Sequence, residues 1–178
     1  FTPLLLFKRL LPKEETVSVT RDELHVLADI SEEEGELEED EEAVIHNLLA
    51  LRETPVKDIM TPRTVTLAFN HDWNIRQVLD DTEILRFGRM PVYEESIDQL
   101  SGFVLRSDIL MAASMDEWDK KLIDFKKPIL SIGMDDSVDL ALETFLKSKV
   151  QILAVTDEFG GTAGIVTMKD AIETLLGE

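Results

Sequence analysis

Cysteine is absent from this chain. Disulfides, thiolate zinc sites and cysteine nucleophiles are therefore excluded, and the composition fits a reducing compartment. Basic residues are scarce too: 18 Lys and Arg stand against 37 Asp and Glu, a formal net charge of −19. A nucleic-acid partner needs a Lys/Arg surface, which such a chain supplies only locally. There is no Gly-Lys-Ser/Thr phosphate loop, so nucleotide hydrolysis of the Walker type is not indicated. The three histidines are scattered at positions 25, 46 and 71, and no nucleophile–base constellation is legible around them. Nothing reads as an enzyme.

What is present is an ordinary globular mixture, 44% hydrophobic and 31% charged over 178 residues. That length suits one domain or two small units sharing a core. The acidity is concentrated, since 12 acidic residues and no Lys or Arg lie between Asp22 and Glu42, leaving 25 acidic against 18 basic elsewhere. Thr20 and Glu23 have the spacing of a capping box, and Leu24, Leu27, Ala28 and Ile30 mark one face of the helix that should follow. Gly35 ends it. A second helix is predicted from about Glu39 to Arg52, with Val44, Ile45, Leu48, Leu49 and Leu51 inward and carboxylates at its N-terminus, where the helix dipole favours them. His25 with Asp29, and Glu42 with His46, lie four apart. A solvated acidic face with incidental histidines, attracting Mg2+ or Ca2+ diffusely, is the simpler reading, and no closed metal site is assigned.

The opening Phe1–Lys13 is apolar and then basic, too short for the ~20 residues of a membrane span and without a signal-peptide cleavage pattern. It fits a juxtamembrane segment on the cytoplasmic side or an amphipathic helix packed on its own domain. The missing initiator Met suggests a fragment, and the apolar pattern before Gly177 suggests a cut at the other end.

The remaining two-thirds repeats itself. Gly102-Phe103-Val104-Leu105-Arg106-Ser107-Asp108 lies 62 positions before Gly164-Ile165-Val166-Thr167-Met168-Lys169-Asp170, while upstream Pro91-Val92-Tyr93 lies 63 before Ala154-Val155-Thr156. One residue fewer in an intervening loop accounts for the difference. Each copy reads as strand (65–69, 129–132), helix (73–87, 137–147), strand (89–93, 150–155), strand (100–105, 163–167) and helix. Asp72 and Asp136 stand at expected N-caps, and Gly160-Gly161 suits a tight hairpin. One β-α-β-β-α copy has too little core to stand alone, so two should pack face to face.

These residues carry a family resemblance. The repeat resembles a tandem pair of CBS (cystathionine-β-synthase) domains, regulatory modules that bind adenine nucleotides. Val56-Lys57-Asp58-Ile59-Met60-Thr61-Pro62-Arg63, Gly88-Arg89-Met90-Pro91-Val92-Tyr93 and Asp157-Glu158-Phe159-Gly160-Gly161-Thr162 are similar to the CorC/cyclin M family of Mg2+-linked, hemolysin-like membrane proteins. The fold class so implied is α/β, a tandem CBS-domain pair of two β-α-β-β-α repeats preceded by acidic helices. The division is 1–19 juxtamembrane, 20–54 acidic helical, 55–114 first CBS domain, 115–122 linker and 123–178 second CBS domain. The resemblance further implies a homodimer, a transmembrane domain elsewhere in the parent chain, and a place on the cytoplasmic face of the membrane. Its nucleotide would be ATP, ADP or AMP, with Mg2+ carried on the phosphates.

A carboxylate accepts both hydroxyls of a ribose, and Asp170 with Thr167 matches the Thr/Ser-x-x-Asp arrangement of CBS ligand sites. The same two residues would also cap the final helix without any ligand. In the first copy Asp108 is kept but Leu105 replaces the Thr, so one site per chain is expected, on the second repeat. Ile129, Leu130, Ile152 and Leu153 are candidates for an apolar adenine slot. Arg89 and Arg63 are candidates for the phosphates, ahead of Lys147 and Lys149. The alternative is a dimerisation scaffold that binds no ligand.

Overall fold

A computed structural model describes residues 19–80 and 86–177. The basic-flanked opening and residues 81–85 of the helix expected over 73–87 therefore lie outside the described residues. Among those described, no helix is long and apolar enough to cross a membrane.

Helix α1 spans Arg21–Glu33 and begins in the capping box expected. Thr20 Oγ1 accepts from the Glu23 N–H at 3.3 Å, and the Glu23 carboxylate accepts from the Thr20 N–H at 2.7 Å. These bonds hold the Glu23 carboxyl below its usual value of 4.5. A depressed carboxyl stabilises the fold above its unfolded pKa and loses that contribution as pH falls through the folded one. Helicity of α1 is thus expected to decline on acidification below the ordinary carboxylate range. Far-ultraviolet circular dichroism of the wild type against Glu23→Gln measures this as a pH-dependent difference that shrinks toward zero in acid. A difference that does not vary with pH refutes it.

Helix α2 spans Glu39–Ala50. The α1 face differs from expectation: only Ala28 is buried, while Leu24, Leu27 and Ile30 are exposed, Leu27 by 51%. Leu48 is likewise exposed, and of the residues expected inward Leu51 alone is fully buried. The reason is that, among the described residues, α1 packs chiefly against α2 and meets no second layer of comparable extent. Leu51 enters the core of the second repeat instead.

The repeats form two sheets. Strands β1 (Thr61–Pro62), β2 (Phe69–Asn70), β3 (Arg89–Tyr93), β4 (Leu100–Leu105), β5 (Leu130–Gly133), β6 (Ile152–Thr156) and β7 (Thr162–Thr167) are ordered β1-β7-β6-β5 and β2-β3-β4. In both sheets a parallel pair (β2–β3, β5–β6) adjoins an antiparallel pair (β3–β4, β6–β7). Arg89 faces Leu105 and Ile152 faces Thr167, and both antiparallel pairs carry an irregularity at the equivalent step, Val92/Tyr93 and Val155/Thr156. The turn between β6 and β7, residues 157–161, is one residue shorter than 94–99 between β3 and β4. That is the offset between the two spacings of the repeat. In the shorter turn the Asp157 carboxylate accepts from the Phe159 and Gly161 N–H groups, and Gly160 adopts φ +81°.

Four helices complete the described fold: α3 (Ile75–Leu79), α4 (Arg106–Ser114), α5 (Val138–Ser148) and α6 (Met168–Leu176). The N-caps of α3 and α5 are Asn74 and Ser137, not Asp72 and Asp136. Asp136 accepts from the Gly133 N–H at 2.8 Å and so closes the preceding turn. Asp72 is held by Lys121 Nζ at 2.8 Å, a bond that lowers its carboxyl pKa. The strand expected over 65–69 is mostly absent: residues 63–65 form a single 3-10 turn, which leaves Val65 71% exposed.

The two cores exchange chain. Val56, Ile59 and Met60, which precede the first sheet in sequence, pack in the core of the second repeat with Phe145, Leu153 and Val166. Leu122, Trp118 and Phe125 pack in the first core with Ile75, Met90 and Ile109. Pairing follows the same exchange, since β1 lies antiparallel along β7 and Phe103 bridges to Lys127. The repeat glycines are what let the crossing backbones so close. A Cβ on Gly102 would lie 2.5 Å from the Lys127 carbonyl oxygen, and one on Gly164 would be driven into the Thr61 carbonyl oxygen.

Candidate functional site

Between the repeats lies a cleft of about 630 Å³, a volume typical of small-molecule sites. Its floor comes from the starts of β3 and β6, one wall from the first turn of α6, and the other from the crossing segment 61–67. Val65, Phe87 and Ile172 line it and are solvent-exposed. Apolar side chains left facing solvent in a concave site are what a flat aromatic ligand would cover.

Thr167 and Asp170 both line this cleft. They form a complete capping box on α6. The Asp170 N–H donates to Thr167 Oγ1 at 3.3 Å, while Asp170 Oδ2 accepts from the Thr167 N–H at 2.7 Å and from Thr167 Oγ1 at 2.8 Å. The cap therefore uses one carboxylate oxygen. Asp170 Oδ1 receives no donor from the described residues. The cap thus leaves Oδ1 uncommitted and fixes the carboxylate's orientation.

Arg89 also lines the cleft, half-buried at the start of β3, and makes no ion pair with a described residue. Lys169 is at the rim, paired with Glu173 one turn further along α6. The side chains at the site thus carry two cations and two carboxylates, so a polyphosphate would meet little net positive charge.

Of the other candidates, Ile152 lines the cleft. Leu153 does not, being fully buried in the second core. Successive strand residues face opposite sides, so the two cannot share one slot. Ile129 lies on a different cleft of about 850 Å³, and Leu130 lines neither. Arg63 is paired with Asp98 and also stands outside the lining. The second cleft carries Glu94, Glu95 and Asp98 and no Lys or Arg, an unsuitable setting for phosphates. In the first repeat Leu105 caps α4 without a side-chain bond, and Asp108 is held by Lys127 Nζ at 3.2 Å.

Sequence reasoning missed Val65, Leu67, Phe87, Ile165 and Ile172 on the cleft wall. The signal for Ile165 and Ile172 was available, because they stand near Thr167 on adjoining elements. For Val65 and Phe87 none was, since their positions depend on how the repeats pack.

Comparison with known proteins agrees with this architecture. The CBS domain family profile matches residues 56–114 and 122–177. A relative named "Magnesium and cobalt efflux protein CorC" from Pasteurella multocida is 27% identical over 168 residues, covering 93% of this chain and 53% of the relative. The chain spans about half or less of the length of the curated relatives it matches. The solved CBS domain of a bacterial CNNM/CorC family Mg2+ transporter superposes with a TM-score of 0.84 at 34% identity, over 90% of this chain and 98% of that one. The same domain solved in complex with ATP gives 0.73 at 35% identity, over 78% and 98%. The chain belongs to the CBS domain family, and its two copies form a tandem CBS pair of the CorC/CNNM kind.

Proposed function

We propose that this chain is the regulatory module of a Mg2+- or Co2+-transporting membrane protein, placed on the cytoplasmic face, and that it binds ATP or another adenine nucleotide in the cleft of the second repeat. The observation that carries this is that the undonated Asp170 Oδ1 and Arg89, which has no described ion-pair partner, line the same cleft. Asp170 accepts the ribose hydroxyls on that single oxygen, and Thr167 supports it. Adenine lies against Ile152, Val65 and Phe87. Arg89 meets the phosphates, and Mg2+ bound to them offsets Asp170 and Glu173. The likeness of this chain to a CBS domain solved with ATP supports the reading.

Control works by differential binding: nucleotide stabilises one arrangement of the repeats. Helix α6 starts at the cleft and ends against α2, where Asn47 Nδ2 donates to the Leu175 carbonyl at 3.2 Å. At the end of α2, the Leu51 carbonyl accepts from the Asp139 N–H at 3.2 Å and Arg52 Nε pairs with Asp139 at 3.2 Å. A shift of α6 or α5 therefore reaches the acidic helices and, through them, a membrane domain of the parent chain. Two chains associate through their CBS pairs as a homodimer.

Calorimetric titration with ATP, ADP and AMP, each with and without Mg2+, tests the reading. Saturable heat from at least one nucleotide is expected, and none from any would leave the scaffold alternative. Arg89→Ala is expected to weaken ATP about tenfold, the worth of one charge-assisted hydrogen bond at a half-buried site. AMP, with fewer phosphates to meet, should lose less. Equal losses for both would remove Arg89 from the phosphate site.

A further inference from the structure

The acidic helices bring together four side chains that the nucleotide cleft does not use. His46 Nε2 on α2 lies 2.8 Å from Asp29 Oδ1 on α1 and 3.2 Å from Glu42 Oε1 one turn earlier on α2. Asp29, Glu42 and His46 offer three ligand atoms, all within 4.8 Å of one another. On the far side of the ring, His46 Nδ1 meets His25 Nδ1 at 2.5 Å. Each helix supplies an i, i+4 pair, and the hairpin closes both pairs onto one imidazole.

We propose that His46, Asp29 and Glu42 bind one divalent transition-metal ion of the Zn2+ type between α1 and α2. Metal–ligand bonds of about 2.0–2.2 Å place neighbouring ligand atoms roughly 3 Å apart, and both nitrogen–oxygen separations here are of that order. An imidazole nitrogen carries one proton at most, so Nε2 cannot donate fully to two carboxylates, whereas a cation satisfies all three groups at once. Two carboxylates neutralise a dication. The mixed nitrogen and oxygen set selects Zn2+, Co2+ or Ni2+ over Mg2+, which prefers oxygen ligands in an octahedron and keeps its water. With Nε2 on the metal, His46 Nδ1–H donates to His25 Nδ1, the outer hydrogen bond that orients ligating histidines. His25 is thereby a positioning residue. Three protein ligands leave one position open to water or a further donor.

The packing gives the ion something to do. Ala28 is the one buried side chain of α1, and none of α2 is buried. Little apolar surface therefore holds the two helices together, and a shared ion would fix their angle. The site stands apart from the cleft and shares no residue with it.

The test is calorimetric titration of the chelator-treated chain with Zn2+, in excess Mg2+ and without nucleotide, with Co2+ as a visible-absorption probe. One Zn2+ per chain is expected, with Co2+ bands of a nitrogen- and oxygen-ligated site. His46→Gln and Asp29→Asn should each weaken Zn2+ by about 100-fold, and His25→Gln by about 10-fold. All three should keep the wild-type circular dichroism without metal. Zn2+ binding unchanged in both His46→Gln and Asp29→Asn overturns the proposal. So does binding at several equivalents that Mg2+ displaces, the mark of a diffuse acidic surface. ATP titration of the same variants without Zn2+ reads the cleft separately, so the two readings fail independently.

Discussion

Asp170→Asn is expected to weaken ATP binding by about 10- to 100-fold while shifting stability by less than about 1 kcal/mol. Hydrogen bonds to a charged group contribute roughly 1.5–3 kcal/mol, and 1.4 kcal/mol is a factor of ten. The substitution separates the cap from the proposed ribose contact. Asn keeps an oxygen that can accept from the Thr167 N–H, so the cap on α6 largely survives. With that oxygen in the cap, the amide NH2 takes the place of Oδ1, and a donor there cannot accept the ribose hydroxyls. Thr167→Ala is the complementary change, because it removes the Oγ1 that accepts from the Asp170 N–H. An N-cap of this kind is worth about 1 kcal/mol, so Thr167→Ala should lower stability more than Asp170→Asn and nucleotide affinity less. Calorimetry beside thermal unfolding reads both. Undiminished ATP binding by Asp170→Asn would remove the ribose role.

Gly164→Ala is expected to cost about 3 kcal/mol of stability, the upper part of the range for overpacking. The added methyl meets backbone, the Thr61 carbonyl and Pro62 Cα, with no flexible side chain to move aside. β1 must withdraw from β7, which breaks the edge pairing of Thr61 with Ile165 and Pro62 with Gly164. In a chain of this size about 3 kcal/mol corresponds to a fall in melting temperature of roughly 6–12 °C. Nucleotide affinity should fall as well, because Thr61 of β1 and Thr66 and Leu67 beyond it line the cleft. The matching change in the first repeat, Gly102→Ala, presses on the Lys127 carbonyl. It should destabilise without touching the ligand. Unfolding temperatures of both variants, with and without ATP, test the pair. An unchanged melting temperature for Gly164→Ala would show that β1 yields freely.

The local signals were legible in the chain. Thr20 with Glu23, the bounds of β3 and β4, and the offset of one residue between the copies all depend on neighbours a few positions away. The register of one repeat then anticipates the other, since Arg89 and Ile152 occupy equivalent ladder positions. What could not be read is what the other repeat contributes. The exchanged segments before each repeat pack at a distance, so β1 had no signal of its own. Ile152 and Leu153 looked interchangeable because both are apolar, and both are buried, yet strand alternation sets Ile152 under the cleft and Leu153 in the second core. Arg63 follows a motif that suggested phosphate, but Asp98, 35 residues on, takes its guanidinium. The histidine cluster was half visible, as two i, i+4 pairs. Only the α1–α2 turn shows that they share a centre.

The pairing of β1 with β7 also bears on how the chain is made. Thr61 and Ile165 are about a hundred residues apart in sequence. The entropy of closing so long a loop rises only slowly with its length, but the partner must first exist. During synthesis from the N-terminus, β1 has left the ribosome long before β7 has been added. Val56, Ile59 and Met60 must wait with it, their apolar surface unburied until Val155 and Val166 are in place. Residues 67–125 hold the whole first core and can assemble as they emerge, whereas the segment before them stays exposed to misassociation until β7 is in place.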